Sequence, residues 1–364
     1  MRVVIVGGGV VGTMHALTAR RRGHEVVQLE RDAGPRRASV RNFGLVWVSG
    51  RAEGEELELA LRARTLWEEL GAEVPGVGFR PGGSLTVALS AEELAVMEEA
   101  VGALDAGARG TKVLDAAEVR GVNPAVKGEV AGALWCERDA VVEPGQVLGA
   151  VRAHLGAGDG YRFVPGRTAV EVGPGSVGDH TGEVHCGDLV LLCTGDFHER
   201  LVNAPLRRCR LQMMQTEPFP ERLTTSVADG DSLRYYPAFA SLPAAGSLPV
   251  PPEVVGRWRL QLLVVQRAGG GLTIGDTHAY DEPFDFAVDE EPYGHLVERA
   301  EAVLGQPLPP VVRRWAGVYS QCTDDRIAYR AELGDGVHVV TGLGGRGMTL
   351  SPAVAEATFD GLGR

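Results

Sequence analysis

Lysine is almost missing from this chain: Lys112 and Lys127 are the only two, so arginine carries nearly all of the positive charge. There is no basic tract, and the formal net charge is -12. Binding to a phosphate backbone relies on clustered Lys and Arg, so nucleic acid is not an expected partner. No stretch approaches the ~20 apolar residues of a membrane helix, and no membrane partner is expected. The five cysteines, Cys136, Cys186, Cys193, Cys209 and Cys322, are odd in number and scattered. They show neither a CxxC nor a metal-ligand spacing, so no metal site is expected and the thiols read as reduced core residues. Met1 runs directly into an apolar segment without a charged leader, which makes the cytoplasm the expected location. What is present is a 364-residue chain that is 44% hydrophobic and 23% charged. That is enough for two intertwined domains with substantial cores and a buried cofactor cleft.

Residues 2–6 form an apolar, β-branched run of the kind found in a buried parallel strand, and Gly7-Gly8-Gly9-Val10-Val11-Gly12 follows at once. Gly7 permits a tight turn, Gly9 lets the backbone approach a pyrophosphate, and Gly12 lets a helix over about 11–22 pack closely on the strand. The helix amino terminus then faces the phosphates. Gly23 closes the helix, residues 25–29 predict a second strand, and Glu30 stands where a carboxylate holds the ribose of a dinucleotide. Glu30 would repel a 2′-phosphate, which disfavours NADP. NAD and FAD share this fingerprint, and the rest of the chain has to choose between them.

Three further segments make the choice. The stretch from Arg31 through Ser39, Arg41, Asn42 and Gly44 is polar, basic and glycine-punctuated before the apolar residues 45–48. Residues 188–193 predict a buried strand ending at Thr194 and Gly195. Residues 337–341 lead into a second glycine-rich turn, with Gly342, Gly344, Gly345, Gly347, Met348 and Thr349, ahead of a helix-like segment over 352–361. Such a turn offers backbone N–H groups to a ring carbonyl. In this order the segments resemble the D-amino acid oxidase and glycine oxidase superfamily of FAD-dependent oxidoreductases. The resemblance spans the whole chain. It implies FAD, with Ser39, Arg41, Asn42 and Gly44 along the pyrophosphate and flavin, Thr194 and Gly195 near the adenosine half, and residues 344–349 at the pyrimidine end of the ring. Neither flavin-lining loop contains a Cys or His, so a noncovalent flavin is expected.

The expected fold is α/β with two domains. A Rossmann-like FAD-binding domain with a parallel sheet draws on 1–80, 136–205 and 320–364. A substrate-binding domain with a mixed, largely antiparallel sheet draws on 81–135 and 206–319. Strand character is read at 84–89, 210–216, 257–266 and 271–275, with a hairpin connection at 268–270. Residues 237–252, rich in Pro, Ala, Ser and Gly, predict a long loop, either a lid or an insertion.

Several phrases resemble one branch of the superfamily, the FAD oxidoreductases found with phosphonate-degradation genes and proposed to oxidise aminophosphonates. They include residues 39–44, 211–213, 232–237, 272–278, 314–319 and 344–351. The branch implies a small, anionic amine as substrate. Amino acid oxidases of the superfamily usually carry Gly-x-Arg-Pro late in the chain, whose arginine clamps the substrate carboxylate. Here the equivalent reads Gly317-Val318-Tyr319-Ser320. The expected replacement cation is Arg234, with Tyr236, His278, Trp315 and Tyr319 as neighbours on the substrate and His278 and Tyr319 on the catalytic side. Each has an ordinary alternative: a surface ion pair for Arg234, a satisfied core position for His278, packing for the aromatics. The expected reaction is hydride transfer from the carbon bearing nitrogen, with His278 accepting the amine proton, and hydrolysis of the imine to an oxo compound and ammonia. Hydrogen peroxide follows if oxygen is the acceptor. Both lysines lie outside the flavin-lining segments, so a dehydrogenase or N-demethylase serving another electron acceptor stays open. A flavin-bearing binding or assembly protein with little turnover also stays open.

Overall fold

The computed structural model describes residues 1–197 and 201–362. Its first elements are strand β1 (Arg2–Val6), helix α1 (Val10–Arg21) and strand β2 (Glu25–Glu30). β1 is a central strand of a six-stranded sheet, flanked in parallel by β2 and by Leu189–Leu192. Tyr161–Pro165 lies outside β2, and Val337–Thr341 lies outside Leu189–Leu192, both parallel. Tyr329–Gly334 closes that edge as an antiparallel hairpin. Val3, Val4, Ile5, Val190, Leu191 and Leu192 are fully buried, as strands covered on both faces require.

Helix α1, Glu55–Glu73, Pro144–Gly156 and Gly347–Leu362 share one apolar core with this sheet. The expected late helix starts at Gly347 and passes through Pro352. Proline has no N–H for the carbonyl four residues back, that of Met348. The fully buried Trp67 supplies the missing donor: its Nε1 lies 3.0 Å from the Met348 carbonyl and 3.1 Å from that of Thr349. The break is thereby satisfied by a neighbouring helix, and the glycine-rich turn ahead of it is pinned.

The second sheet has eight strands, in the order Val311–Cys322, Leu206–Pro218, Gly271–Gly275, Leu263–Gln266, Ser226–Asp229, Ser84–Ala88, Gly132–Cys136, Thr111–Leu114. Every neighbouring pair is antiparallel except Ser226–Asp229 with Ser84–Ala88. Gly132–Cys136 and Val311–Cys322 reach into the ranges that the sequence pattern gives to the nucleotide domain.

Two expected elements differ. Residues 257–266 are not one strand: Glu253–Trp258 is a helix, Arg259 ends it with φ 45°, and the strand begins at Leu263. The prolines before Glu253 and the carboxylate in the first turn favour a helix start. Residues 237–252 are not an irregular loop either. They contain helical turns at Pro237–Ala240 and Pro243–Ser247, each opened by a proline at its first position. Phe239, Leu242 and Leu248 bury themselves in the core that holds Trp47 and Tyr236. No helix among the described residues is long and apolar enough to cross a membrane.

Candidate active site

A cavity of about 510 Å³ runs from the end of β1 to the face of the eight-stranded sheet. At one end it is lined by Gly7, Gly9, Glu30, Arg31 and Ser39. Gly7 has φ 118°, and a Cβ there would lie 2.2 Å from the Cys193 carbonyl oxygen. A Cβ on Gly12 would lie 2.1 Å from the Gly7 carbonyl oxygen. The turn is thus packed backbone on backbone, and any side chain at either position is excluded. Glu30 accepts from the backbone N–H of Gly8 at 2.6 Å and of Asp32 at 2.9 Å, which holds its carboxylate beside the turn. Ser39 Oγ accepts from Val10 N at 2.9 Å, bringing the polar loop against the start of α1.

The middle of the cavity lies between two loops. Residues 342–349 line it from one side, and Leu45, Trp47 and Arg51 from the other. The second loop is held by the buried Asp139, whose carboxylate accepts from Val48 N at 2.5 Å, Ser49 N at 3.1 Å, Ser49 Oγ at 2.7 Å and Ser84 Oγ at 2.6 Å. Burial pushes the Asp139 carboxyl up from its ordinary value, and these four donors oppose the shift. The buried Arg109 adds bonds to the Val48 and Ser49 carbonyls at 3.3 and 2.9 Å. Thr349 fastens the two loops together, accepting from Trp47 N and donating to the Leu45 carbonyl, each at 3.1 Å.

At the far end stand Tyr235, Tyr236, Gln261, Leu263, Asp276, His278, Tyr280 and Tyr319. Tyr235 stacks on His278 with ring centroids 4.3 Å apart, and Trp47 stacks on Tyr236 at 5.8 Å. His278 Nδ1 lies 3.0 Å from the Arg259 carbonyl, a partner that can only accept. Nδ1 therefore carries the proton, and Nε2 presents a lone pair in the neutral ring. That Nε2 is 3.8 Å from Asp276 Oδ2. Burial raises the Asp276 carboxyl above its ordinary value, while His278 and Gln261 pull it down. Burial also drives the hydroxyls of Tyr235, Tyr236 and Tyr319 well above theirs, and that of Tyr280 to about 12, so these walls are uncharged at neutral pH.

Most residues expected from the sequence meet here. Gly7, Gly9, Glu30, Arg31, Ser39, Arg41, Asn42, Thr194, Gly195, Gly342, Gly344, Gly345, Gly347, Met348 and Thr349 line the cavity, as do Tyr236, His278 and Tyr319. Gly12 and Gly44 stand behind the lining, and a Cβ on Gly44 would lie 2.2 Å from the Val142 carbonyl. Arg234 is placed elsewhere: its guanidinium donates to the Pro249 carbonyl at 2.5 Å, and the residue is absent from the lining. Trp315 likewise lies off the cavity, its Nε1 3.5 Å from the Arg41 carbonyl. Sequence reasoning missed Trp47, Arg51, Glu56, Tyr235, Gln261 and Asp276. Asp276 sits two residues before His278 in the phrase 272–278, and its acidity was the available signal. Neither lysine lines the cavity.

The lining fits a dinucleotide with a ring at its inner end. Thr194 Oγ1 and Trp47 Nε1 are buried without a hydrogen-bond partner among the described residues, and both residues border the cavity. An unpaired buried polar group costs about 1–3 kcal/mol, so both atoms suit a bound molecule rich in donors and acceptors.

A family model described as DAO, FAD dependent oxidoreductase, matches residues 2–360. An opine oxidase subunit of Agrobacterium tumefaciens (strain Ach5) is 27% identical over 241 residues, which cover 59% of this chain and 63% of that protein. The matched stretch thus spans a little under two thirds of that relative. Among solved structures, glycine oxidase from Geobacillus kaustophilus superposes with a TM-score of 0.79 at 20% identity, covering 99% of this chain and 94% of the other. L-proline dehydrogenase from P.horikoshii gives 0.79 at 18% identity, covering 99% and 93%. At these identities the two structures establish the shared fold.

Proposed function

The chain belongs to the family of FAD dependent oxidoreductases, and from that premise we propose that it oxidises the carbon–nitrogen bond of a small, anionic amine. The observation that carries this reading is the far end of the cavity, where aromatic walls enclose a histidine whose proton is committed to a backbone carbonyl. When bound, the flavin supplies the electron sink, taking a hydride from the carbon bearing nitrogen. The protein's own tasks are to orient that carbon, exclude water and manage one proton. An amine assists hydride departure only when its lone pair is free. His278 Nε2, unprotonated in the neutral ring, is placed to take the ammonium proton. Tyr235, Tyr236 and Tyr319 keep solvent from the reacting carbon. The substrate imine then hydrolyses to an oxo compound and ammonia.

The anionic end of the substrate finds its counter-charge at Arg51 and Arg346, which both line the cavity and both reach Glu56 Oε1, at 3.4 and 3.5 Å. Two guanidiniums against one carboxylate leave a surplus positive charge. Phosphonate and carboxylate both suit it, and the branch resemblance favours phosphonate. Glycine and proline, named for two proteins of the same fold, are amines with a carboxylate beside the nitrogen, which supports the same class. A second reading, transfer of electrons to a carrier other than oxygen, is favoured by one observation: no lysine borders the cavity.

The test is anaerobic mixing of the yellow holoprotein with aminophosphonates and amino acids. Bleaching of the visible flavin band by at least one is expected. Failure of every anionic amine to bleach it, with dithionite still doing so, would sink the proposal. The flavin is also expected to be noncovalent. Cys322 is absent from the lining, and Cys193, which borders the cavity, stands against Gly7 and Gly12 at the nucleotide end. Acid precipitation should release all the FAD into the supernatant; colour retained in the pellet would refute this.

A further inference from the structure

Asp276 is 5% exposed and lines the far end of the cavity, yet its carboxylate has little to balance it. Oδ1 accepts from Gln261 Nε2 at 3.2 Å. Oδ2 faces His278 Nε2 at 3.8 Å, and no Lys or Arg ion pair reaches the carboxylate among the described residues. The neighbouring guanidinium of Arg259 is engaged with the His278 carbonyl at 3.3 Å and with the Tyr280 ring. Because the His278 proton sits on Nδ1, the neutral ring offers only a lone pair at Nε2, and that atom and the carboxylate oxygen 3.8 Å away are two acceptors with no hydrogen bond between them. A buried carboxylate of this kind requires a cation or a proton from outside the chain.

A primary or secondary ammonium supplies what is missing: a positive charge with at least two N–H groups, one for each acceptor. Tyr235 and Tyr319 line the same end of the cavity and surround the site with aromatic side chains.

We propose that Asp276 receives the substrate nitrogen as its ammonium cation and orients it so that one N–H proton passes to His278 Nε2. In this step the N–H bond breaks and an Nε2–H bond forms, Asp276 remains a carboxylate, and the resulting imidazolium is paired by it. The inference rests on the amine-oxidising reading above, and adds the group that selects an ammonium over an uncharged polar substituent.

The experiment uses holoprotein and two matched pairs of probes, aminomethylphosphonate with hydroxymethylphosphonate, and glycine with glycolate. Binding is read anaerobically from the perturbation of the flavin spectrum and from the shift in melting temperature. In the wild type, the amine of at least one pair should bind about tenfold or more tightly than its hydroxyl partner, the size of one charge-assisted hydrogen bond. In Asp276→Asn, which keeps shape and the Gln261 contact, that preference should vanish. KM for the amine should rise by a similar factor, with a smaller change in the limiting rate of flavin reduction. Equal binding of both members of each pair by the wild type would overturn the proposal without any variant being made. An unchanged preference in Asp276→Asn would overturn it too, and would mark Asp276 and His278 as an internal pair sharing one proton. Preferential amine binding with no flavin reduction by any amine would instead remove the reaction proposed above and leave Asp276 as an ammonium site.

Discussion

Replacing Gly7 by Ala is expected to give protein that purifies without flavin and melts well below the wild type. The Cβ would be placed 2.2 Å from the Cys193 carbonyl oxygen and 2.8 Å from its carbon. Both are backbone atoms, at the end of a strand held in parallel register with β1 through Val6 and Leu192. Neither strand can retreat without breaking the ladder. A backbone at φ 118° adds a conformational cost of about 1–3 kcal/mol for any residue with a Cβ, and overpacking adds about 1–3 kcal/mol. Against a total stability of about 5–15 kcal/mol, the sum is enough to distort the turn that faces the dinucleotide. Gly8→Ala is the informative contrast. Its Cβ would meet the ends of the Arg152 and Glu30 side chains at 2.7 and 2.9 Å, which can swing away, and Glu30 Cβ at 2.8 Å, which cannot, so a loss smaller than that of Gly7→Ala is expected. The measurement is the ratio of flavin to protein absorbance, with the melting temperature, for each variant. A Gly7→Ala protein as yellow and as stable as the wild type would show that the turn is softer than its packing indicates.

The nucleotide half of the site was legible because its signals are local. A buried strand, a glycine turn, a helix, a second strand and an acid follow within 30 residues, and their contacts, Gly8 with Glu30 and Gly7 with Cys193, follow from the parallel sheet that such a run builds. At the far end of the cavity the residue types were legible but the geometry was not. Arg234 and Tyr235 are neighbours on the short helix Asp231–Tyr235. One residue turns a helix by about 100°, so Tyr235 borders the cavity while Arg234 goes to the Pro249 carbonyl. Trp315 and Tyr319 alternate onto the same face of Val311–Cys322, but Trp315 lies past the cavity, against the Arg41 carbonyl. Arg51 and Asp276 were missed for a different reason. Their roles depend on what surrounds them, an excess of arginine around Glu56 and a shortage of donors around a carboxylate, and both are properties of distant residues brought together.

Arg51→Gln is expected to cost anionic amines about 2–5 kcal/mol of binding, the range found when one partner of a buried charge pair is truncated. Arg51 is 6% exposed, and its Nε donates to the Trp47 carbonyl at 3.0 Å, so the fork is aimed before any substrate arrives. Its NH2 lies 3.4 Å from Thr349 Oγ1, at the seam between the two cavity loops. Removing the charge leaves Arg346 to neutralise Glu56, and no surplus positive charge is left for the substrate. Glutamine retains a donor for the Trp47 carbonyl, so FAD content should hold. The loss should fall on substrates with a carboxylate or phosphonate and spare an amine of the same size without one, because only the former bring a charge that needs a partner. Arg234→Gln serves as the control and should bind both kinds of amine like the wild type, since its guanidinium is spent on Pro249. The measurement is the concentration of amine that half-saturates anaerobic flavin reduction, for the anionic and the uncharged member of a pair. Equal values for Arg51→Gln and the wild type would move the anion to Arg207, another cation lining the cavity, which lies over the Tyr280 ring at 4.1 Å.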